Sequence, residues 1–288
     1  MLGTEVCFQL ANANMDFCRS DSNVDITDFT ALEDFVKEKK IDFVVNCAAY
    51  TAVDNAEDDE EKARKINADG ARNIARLSKK IGAAMIHIST DYVFDGTKQF
   101  AYAEDNAVCP LGIYGATKAA GEKAVQEETD DFYILRTAWL YGFHGKNFVY
   151  TMIRAMKSRE SVKVVSDQKG TPTNCATLAG VIVKILDSKT KIPCGIYHIT
   201  DEGEATWFEF AKEIQRIAKN LDFAKSAGAC KVNPCATADY PTKAKRPAYS
   251  VLSKAKIQTA LKIKLPDWKD SLFDFLSSPF FEKSRIEN

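Results

Sequence analysis

The sequence predicts an α/β chain built on a mostly parallel, doubly wound sheet, and three observations carry this. Apolar runs of strand length alternate with helical patterns along most of the chain, the signature of βαβ units with right-handed crossovers. The runs at 41–49 and 83–89 are dominated by apolar residues without strict alternation, as in strands covered on both faces. Several runs end in small or hydroxyl residues, Ala48-Ala49, Ser89-Thr90 and Thr137-Ala138-Trp139, and ligands of such sheets bind outside the strand carboxyl ends.

Each element has its own signal. Leu2, Val6 and Leu10 recur four apart and predict an opening helix. Residues 15–19 read as a short strand. Thr27 or Asp28 caps a helix with Phe29, Leu32, Phe35 and Val36 on one face. One long charged helix is expected over 57–81, stopped by Gly82. A Gly/Pro/acidic loop, 95–112, leads into a helix from Tyr114. Further strands are expected at 132–137, 162–165 and 195–199, and further helices at 148–157, 176–186 and 207–219. Pro234, Pro241 and Pro247 then break the pattern, and two short helices close the chain near 253–261 and 268–276.

Composition narrows the function. The 288 residues suffice for one large domain or two lobes, and 27% charged with 45% hydrophobic residues is ordinary for a globular chain. A net charge of −1 offers no strong field for nucleic acid or an anionic membrane. No signal peptide is visible, and no apolar run approaches the ~20 residues that span a bilayer. The cytoplasm is the expected location. The eight cysteines are scattered without a C-x-x-C pair, and the three histidines have no ligand spacing. They read as buried apolar groups of a reducing compartment, with no metal site.

The chemistry lies between Ser89 and Lys118. Tyr114 and Lys118 are four apart, hence one turn apart on one helix face. A phenol beside an ammonium is expected to fall below its usual pKa of about 10, and can then exchange a proton with a carbonyl or alcohol. Thr90 or Ser89 would orient the same oxygen. Y-x-x-x-K alone is common on surface helices; its weight comes from following a strand that ends in hydroxyls.

Five longer words carry a resemblance: Val45-Asn46-Cys47-Ala48-Ala49-Tyr50-Thr51-Ala52-Val53-Asp54-Asn55-Ala56-Glu57, Ile88-Ser89-Thr90-Asp91-Tyr92-Val93-Phe94-Asp95-Gly96, Pro110-Leu111-Gly112-Ile113-Tyr114-Gly115-Ala116-Thr117-Lys118-Ala119-Ala120-Gly121-Glu122, Leu135-Arg136-Thr137-Ala138-Trp139-Leu140-Tyr141-Gly142 and Asp167-Gln168-Lys169-Gly170-Thr171-Pro172-Thr173. The chain resembles the extended short-chain dehydrogenase/reductase family, from Leu2 to about Leu276, and within it the branch that reduces dTDP-4-keto-6-deoxy sugars to dTDP-L-rhamnose. The late word Arg246-Pro247-Ala248-Tyr249-Ser250 also matches, with Tyr249 where asparagine is more usual. The resemblance implies a Rossmann-like NAD(P)-binding domain over 1–147 and a mainly substrate-binding lobe over 148–288, with interleaved boundaries. It implies Tyr114 as the acid that protonates the C4 oxygen, Lys118 as its tuner and a ribose contact, and Thr90 as the carbonyl's hydrogen-bond partner. Asp91 and Trp139 would lie against the sugar. Gly3, Ala48, Ala49, Thr51 and Ile88 would line the cofactor, with Asp25 and Ile26 at its adenine. Arg19 beside Asp21 favours NADPH, with NADH also accommodated. Some relatives hold Mg2+ at a glutamate matching Glu5, at a subunit contact, which implies a homodimer; from the residues alone, Glu5 is a solvated helix residue.

The chain departs from this family at its start. Of the opening strand and glycine-rich turn only Leu2-Gly3 is seen. Two neighbouring strands are therefore expected to lack a partner, and the grip on the cofactor pyrophosphate to be weak. The expectation is that a longer form is the active enzyme; a truncated, inactive paralogue is the alternative. A non-catalytic partner, resembling the regulatory subunit of methionine adenosyltransferase, is the rival from another class. Asp91-Tyr92 is not the acidic pair of the family's dehydratases.

Overall fold

The computed structural model describes residues 1–187 and 191–284. Helix α1 (Leu2–Asn12) opens the chain and α2 (Phe29–Val36) follows, capped by the Asp28 carboxylate on the amides of Thr30 and Ala31. Strand β1 (Phe43–Asn46) leads to short helices α3 (Val53–Ala56) and α4 (Glu60–Arg64), and then to α5 (Ala71–Ile81). Strand β2 (Ala84–Thr90), helix α6 (Ile113–Glu128) and strand β3 (Phe132–Thr137) form the centre. Beyond them lie β4 (Leu140–Tyr141), α7 (Phe148–Ser158), β5 (Ser161–Val165), β6 (Lys169–Gly170), β7 (Thr173–Asn174), α8 (Cys175–Leu186), β8 (Gly195–His198), β9 (Ala205–Thr206) and α9 (Trp207–Ala218). Strand β10 (Lys231–Cys235) and helices α10 (Ala255–Leu261), α11 (Trp268–Ser277) and α12 (Pro279–Ser284) complete the described chain.

The main sheet is parallel, in the order β1-β2-β3-β8. Alternation along its strands splits the core into two layers. Ile86 and Leu135 pack with Leu2, Val6 and Leu10 of α1 and Leu178 and Ile182 of α8. Met85 and Ile134 pack with Leu32, Ile74, Leu77 and Val125 from α2, α5 and α6. Helices on both faces make the sheet doubly wound. A second core joins α7, α9 and α11 around Met156, Phe210, Ile214 and Phe275. Strand β8 comes from beyond residue 148 yet sits in the first sheet.

Two expected elements differ. Residues 15–19 form no strand: among the described residues nothing pairs with them, and an extended segment becomes a strand only through its ladder. Strand β1 is correspondingly an edge, bonded to β2 alone. The single helix expected over 57–81 is instead interrupted by a π-helical turn, Lys65–Gly70. The turn is held by tertiary contacts that the helical pattern does not encode. Buried Asn67 accepts from the Tyr50 amide at 2.8 Å, and donates to the Tyr50 carbonyl at 3.1 Å and the Thr117 hydroxyl at 3.0 Å. Gly121 lets α6 approach closely, since a Cβ there would lie 2.2 Å from the Asn67 carbonyl oxygen.

Candidate active site

Strand β2 ends at Thr90, and α6 returns over that end carrying Tyr114 and Lys118. The Thr90 hydroxyl lies beside the Tyr114 phenol and donates to Asp91 Oδ1 at 3.0 Å. Lys118 is only 2% exposed, and its ammonium donates to the Ile88 carbonyl at 2.5 Å. Of the two hydroxyls at the strand end, Thr90 is the one at the phenol. Ser89, on the other face of the strand, donates instead to Glu122 Oε1 at 2.5 Å.

The electrostatics correct one expectation. Tyr114 is pushed up to about 12, because burial disfavours phenolate; the Thr90 hydroxyl lowers it in part and Asp91 adds to the rise. The expected fall toward neutrality is absent: desolvation dominates, and Lys118 is not among the groups that shift the phenol. The tyrosine is thus a protonated donor. Lys118 is pulled down to about 8 by burial, with Glu122 and Cys47 opposing. Asp91, 2% exposed, is raised to about 6 by burial, while the Ser250 and Thr90 hydroxyls pull it back. Its Oδ2 has no hydrogen-bond partner.

Behind this trio lies a buried ion pair. Arg136 donates to Glu122 through Nε at 2.8 Å and Nη2 at 2.7 Å, with both side chains at most 3% exposed. Arg136 also reaches the Glu104 carbonyl at 3.4 Å, and His198 Nδ1 lies 3.1 Å from the Tyr102 carbonyl. The pair ties α6 to β3 and to the 95–112 loop.

On the cofactor side the residues divide. Ala48, Ala49 and Thr51 follow the end of β1, where Asn46 Oδ1 accepts from the Ala48 amide at 3.0 Å. Gly3 faces the same end, since a Cβ on it would sit 3.5 Å from that of Cys47. Ile26 packs against Gly70, its Cδ1 2.5 Å from where a Cβ would stand, and its carbonyl accepts from Asn73 at 3.1 Å. Asp25 is exposed and accepts from the amide and hydroxyl of Thr27, both at 2.8 Å, so it builds the entry to α2. Arg19 is exposed. Trp139 has φ of 46°, a left-handed conformation costly for a bulky residue. Its ring stacks on Trp207 at 3.5 Å and 9°.

Residues 1–279 match the RmlD substrate binding domain family. The chain belongs to that family. It is 36% identical over 281 residues to the dTDP-4-dehydrorhamnose reductase of Escherichia coli K12, covering 97% of this chain and 91% of that one. It is 38% identical to the spore coat polysaccharide biosynthesis protein SpsK of Bacillus subtilis, covering 96% and 93%. Among solved structures, a dTDP-4-dehydrorhamnose reductase from Clostridium acetobutylicum aligns with TM-score 0.87 at 42% identity, covering 96% of this chain and 94% of that one. The Bacillus anthracis dTDP-4-dehydrorhamnose reductase, in complex with NADP, aligns with TM-score 0.88 at 38% identity and the same coverage. A Thermus thermophilus UDP-glucose 4-epimerase, 18% identical with TM-score 0.77, shares the fold.

The RmlD-family chain also carries site residues that spacing alone misses. Glu122, Arg136 and Ser250 act through tertiary partners; their signal was membership in the quoted words rather than periodicity. Trp207 stands in no such word, and only the fold brings it to Trp139. The magnesium implied at Glu5 does not fit. Glu5 is 7% exposed, accepts from Gln9 Nε2 at 2.9 Å, and no group of three metal-ligating side chains occurs among the described residues. A nicotinamide cofactor does fit: a buried ammonium with one carbonyl partner and a small-residue turn face the same strand ends. Among the described residues no helix is long and apolar enough to cross a membrane.

Proposed function

We propose that this chain is an NAD(P)H-dependent oxidoreductase that reduces the C4 keto group of dTDP-4-dehydro-6-deoxy-L-mannose, giving dTDP-L-rhamnose for cell-surface polysaccharide synthesis. The observation that carries this reading is the Thr90–Tyr114–Lys118 set at a strand end, with Thr90 and Lys118 buried and Tyr114 half-buried. Carbonyl reduction adds a hydride to carbon and a proton to oxygen. A bound nicotinamide supplies the hydride. The chain supplies position and the proton. Thr90 donates a hydrogen bond to the C4 oxygen, and the protonated Tyr114 gives its proton to that oxygen as charge develops there. Lys118, charged below about pH 8, stabilises the phenolate left behind and contacts the cofactor ribose. Asp91 and Trp139 orient the sugar. NADPH is the preferred donor through Arg19, whose guanidinium suits a ribose phosphate.

The test is loss of NADPH absorbance with the dTDP-4-keto sugar. Tyr114→Phe should lower kcat at least a hundredfold while the thermal midpoint stays near that of the unaltered chain. Full activity in Tyr114→Phe would refute the proton-donor role, and no turnover by the unaltered chain would refute the reaction itself.

A further inference from the structure

Helix α6 positions both Tyr114 and Lys118, yet its N-cap residue is Gly112, which has no side chain to cap with. A helix start leaves four amides without intrahelical partners. Here the Ile113 amide donates to Glu57 Oε1 at 2.8 Å, across 56 residues of sequence. A Cβ at 112 would lie 2.6 Å from that carboxylate oxygen, so a side chain there would have to displace the Glu57 carboxylate. We propose that Glu57 is a positioning residue for the proton donor, capping the catalytic helix from a different segment of the chain.

Two further contacts make the first turn of α6 an exacting place. A Cβ on Gly115 would lie 2.2 Å from the Tyr92 carbonyl oxygen and 3.0 Å from Pro110. The Tyr92 and Tyr114 rings meet edge to face at 5.9 Å. Fraying of this turn therefore displaces the phenol from Thr90 directly. The carboxylate also opposes the positive end of the helix dipole. Glu57 is itself held, because it follows α3, whose Asp54 accepts from Arg246 Nη2 at 2.7 Å and from the Ala244 amide at 3.1 Å. Val53, Glu57, Tyr92, Tyr114, Ala244 and Pro247 enclose one small pocket. The late strap 243–247 and the start of the catalytic helix thus share one support.

The kinetic consequences rest on the reductase reading, whereas the cap does not, so the test reads both. Glu57→Ala should lower kcat about tenfold, the scale of a lost cap, with both KM values within about twofold. Glu57→Gln, which keeps an acceptor oxygen, should retain most activity. In the Glu57→Ala background, Gly112→Ser should restore turnover by supplying a local cap. Hydrogen exchange of the 112–118 peptide should show protection falling about tenfold in Glu57→Ala and returning in the double variant. Unchanged kcat and protection in Glu57→Ala would overturn the proposal, as would a loss that Gly112→Ser does not reverse. If the unaltered chain fails to turn over, the reductase reading falls while the exchange data still decide the cap.

Discussion

The centre of the sheet and its β1 edge treat their functional residues differently. At the centre, Thr90, Lys118, Glu122 and Arg136 are at most 6% exposed, and the last three are fixed by partners from another element. Toward the edge, Arg19 and Asp25 are exposed, and Asp25 bonds only to its own turn. Strand β1 has a partner on one side alone. The residues proposed for proton transfer are therefore held before any ligand arrives, whereas the exposed Arg19 would be engaged only by a ligand. Energy should follow the same division: loss of a buried charge at the centre should destabilise the fold, and changes toward the edge should alter affinity alone.

Three substitutions probe this contrast, beginning with the largest effect. Glu122→Gln leaves the Arg136 guanidinium buried without its countercharge, and breaking such a pair costs about 3–5 kcal/mol. A fall of that size in unfolding free energy, read from the denaturant midpoint, is expected; a midpoint equal to the unaltered chain would mean that the pair does not hold the centre together.

An intermediate effect is expected from Lys118. Burial favours its neutral amine, so the proton leaves as pH rises through about 8 in the folded state. In the ligand-free enzyme, kcat/KM should therefore decline above about pH 8. Stability should move the other way. Between about 8 and the ordinary 10.5, the unfolded chain holds a proton that the folded chain has lost, so unfolding free energy rises with pH. Lys118→Met should abolish the rise in thermal midpoint across that window; a rise that persists in this variant assigns it to another group.

The smallest structural effect belongs to Arg19→Ala. The thermal midpoint should not change, because the side chain is exposed, while affinity for NADPH falls about tenfold and that for NADH stays the same, as expected for one lost charge-assisted contact. Equal loss for both cofactors would place the 2′-phosphate contact elsewhere.

Much of this was legible in the residues. Apolar runs marked β1 and β2, Thr27 or Asp28 marked the start of α2, and Gly82 stopped α5 with φ of 70°. The Tyr114–Lys118 face follows from helical geometry alone, which is local and periodic. Three features did not follow. The choice of Thr90 over Ser89 depends on which strand face meets the phenol. The upward shift of Tyr114 depends on how deeply α6 buries it. The cap on α6 depends on Glu57, which is 56 residues away in sequence. The sequence by itself determined the alternation of strands and helices and the chemical identity of the donor pair, because those depend on neighbours within one helical turn. Only the tertiary structure decided the protonation state of that pair and what holds it in place, because desolvation and long-range hydrogen bonds exist only once distant segments pack.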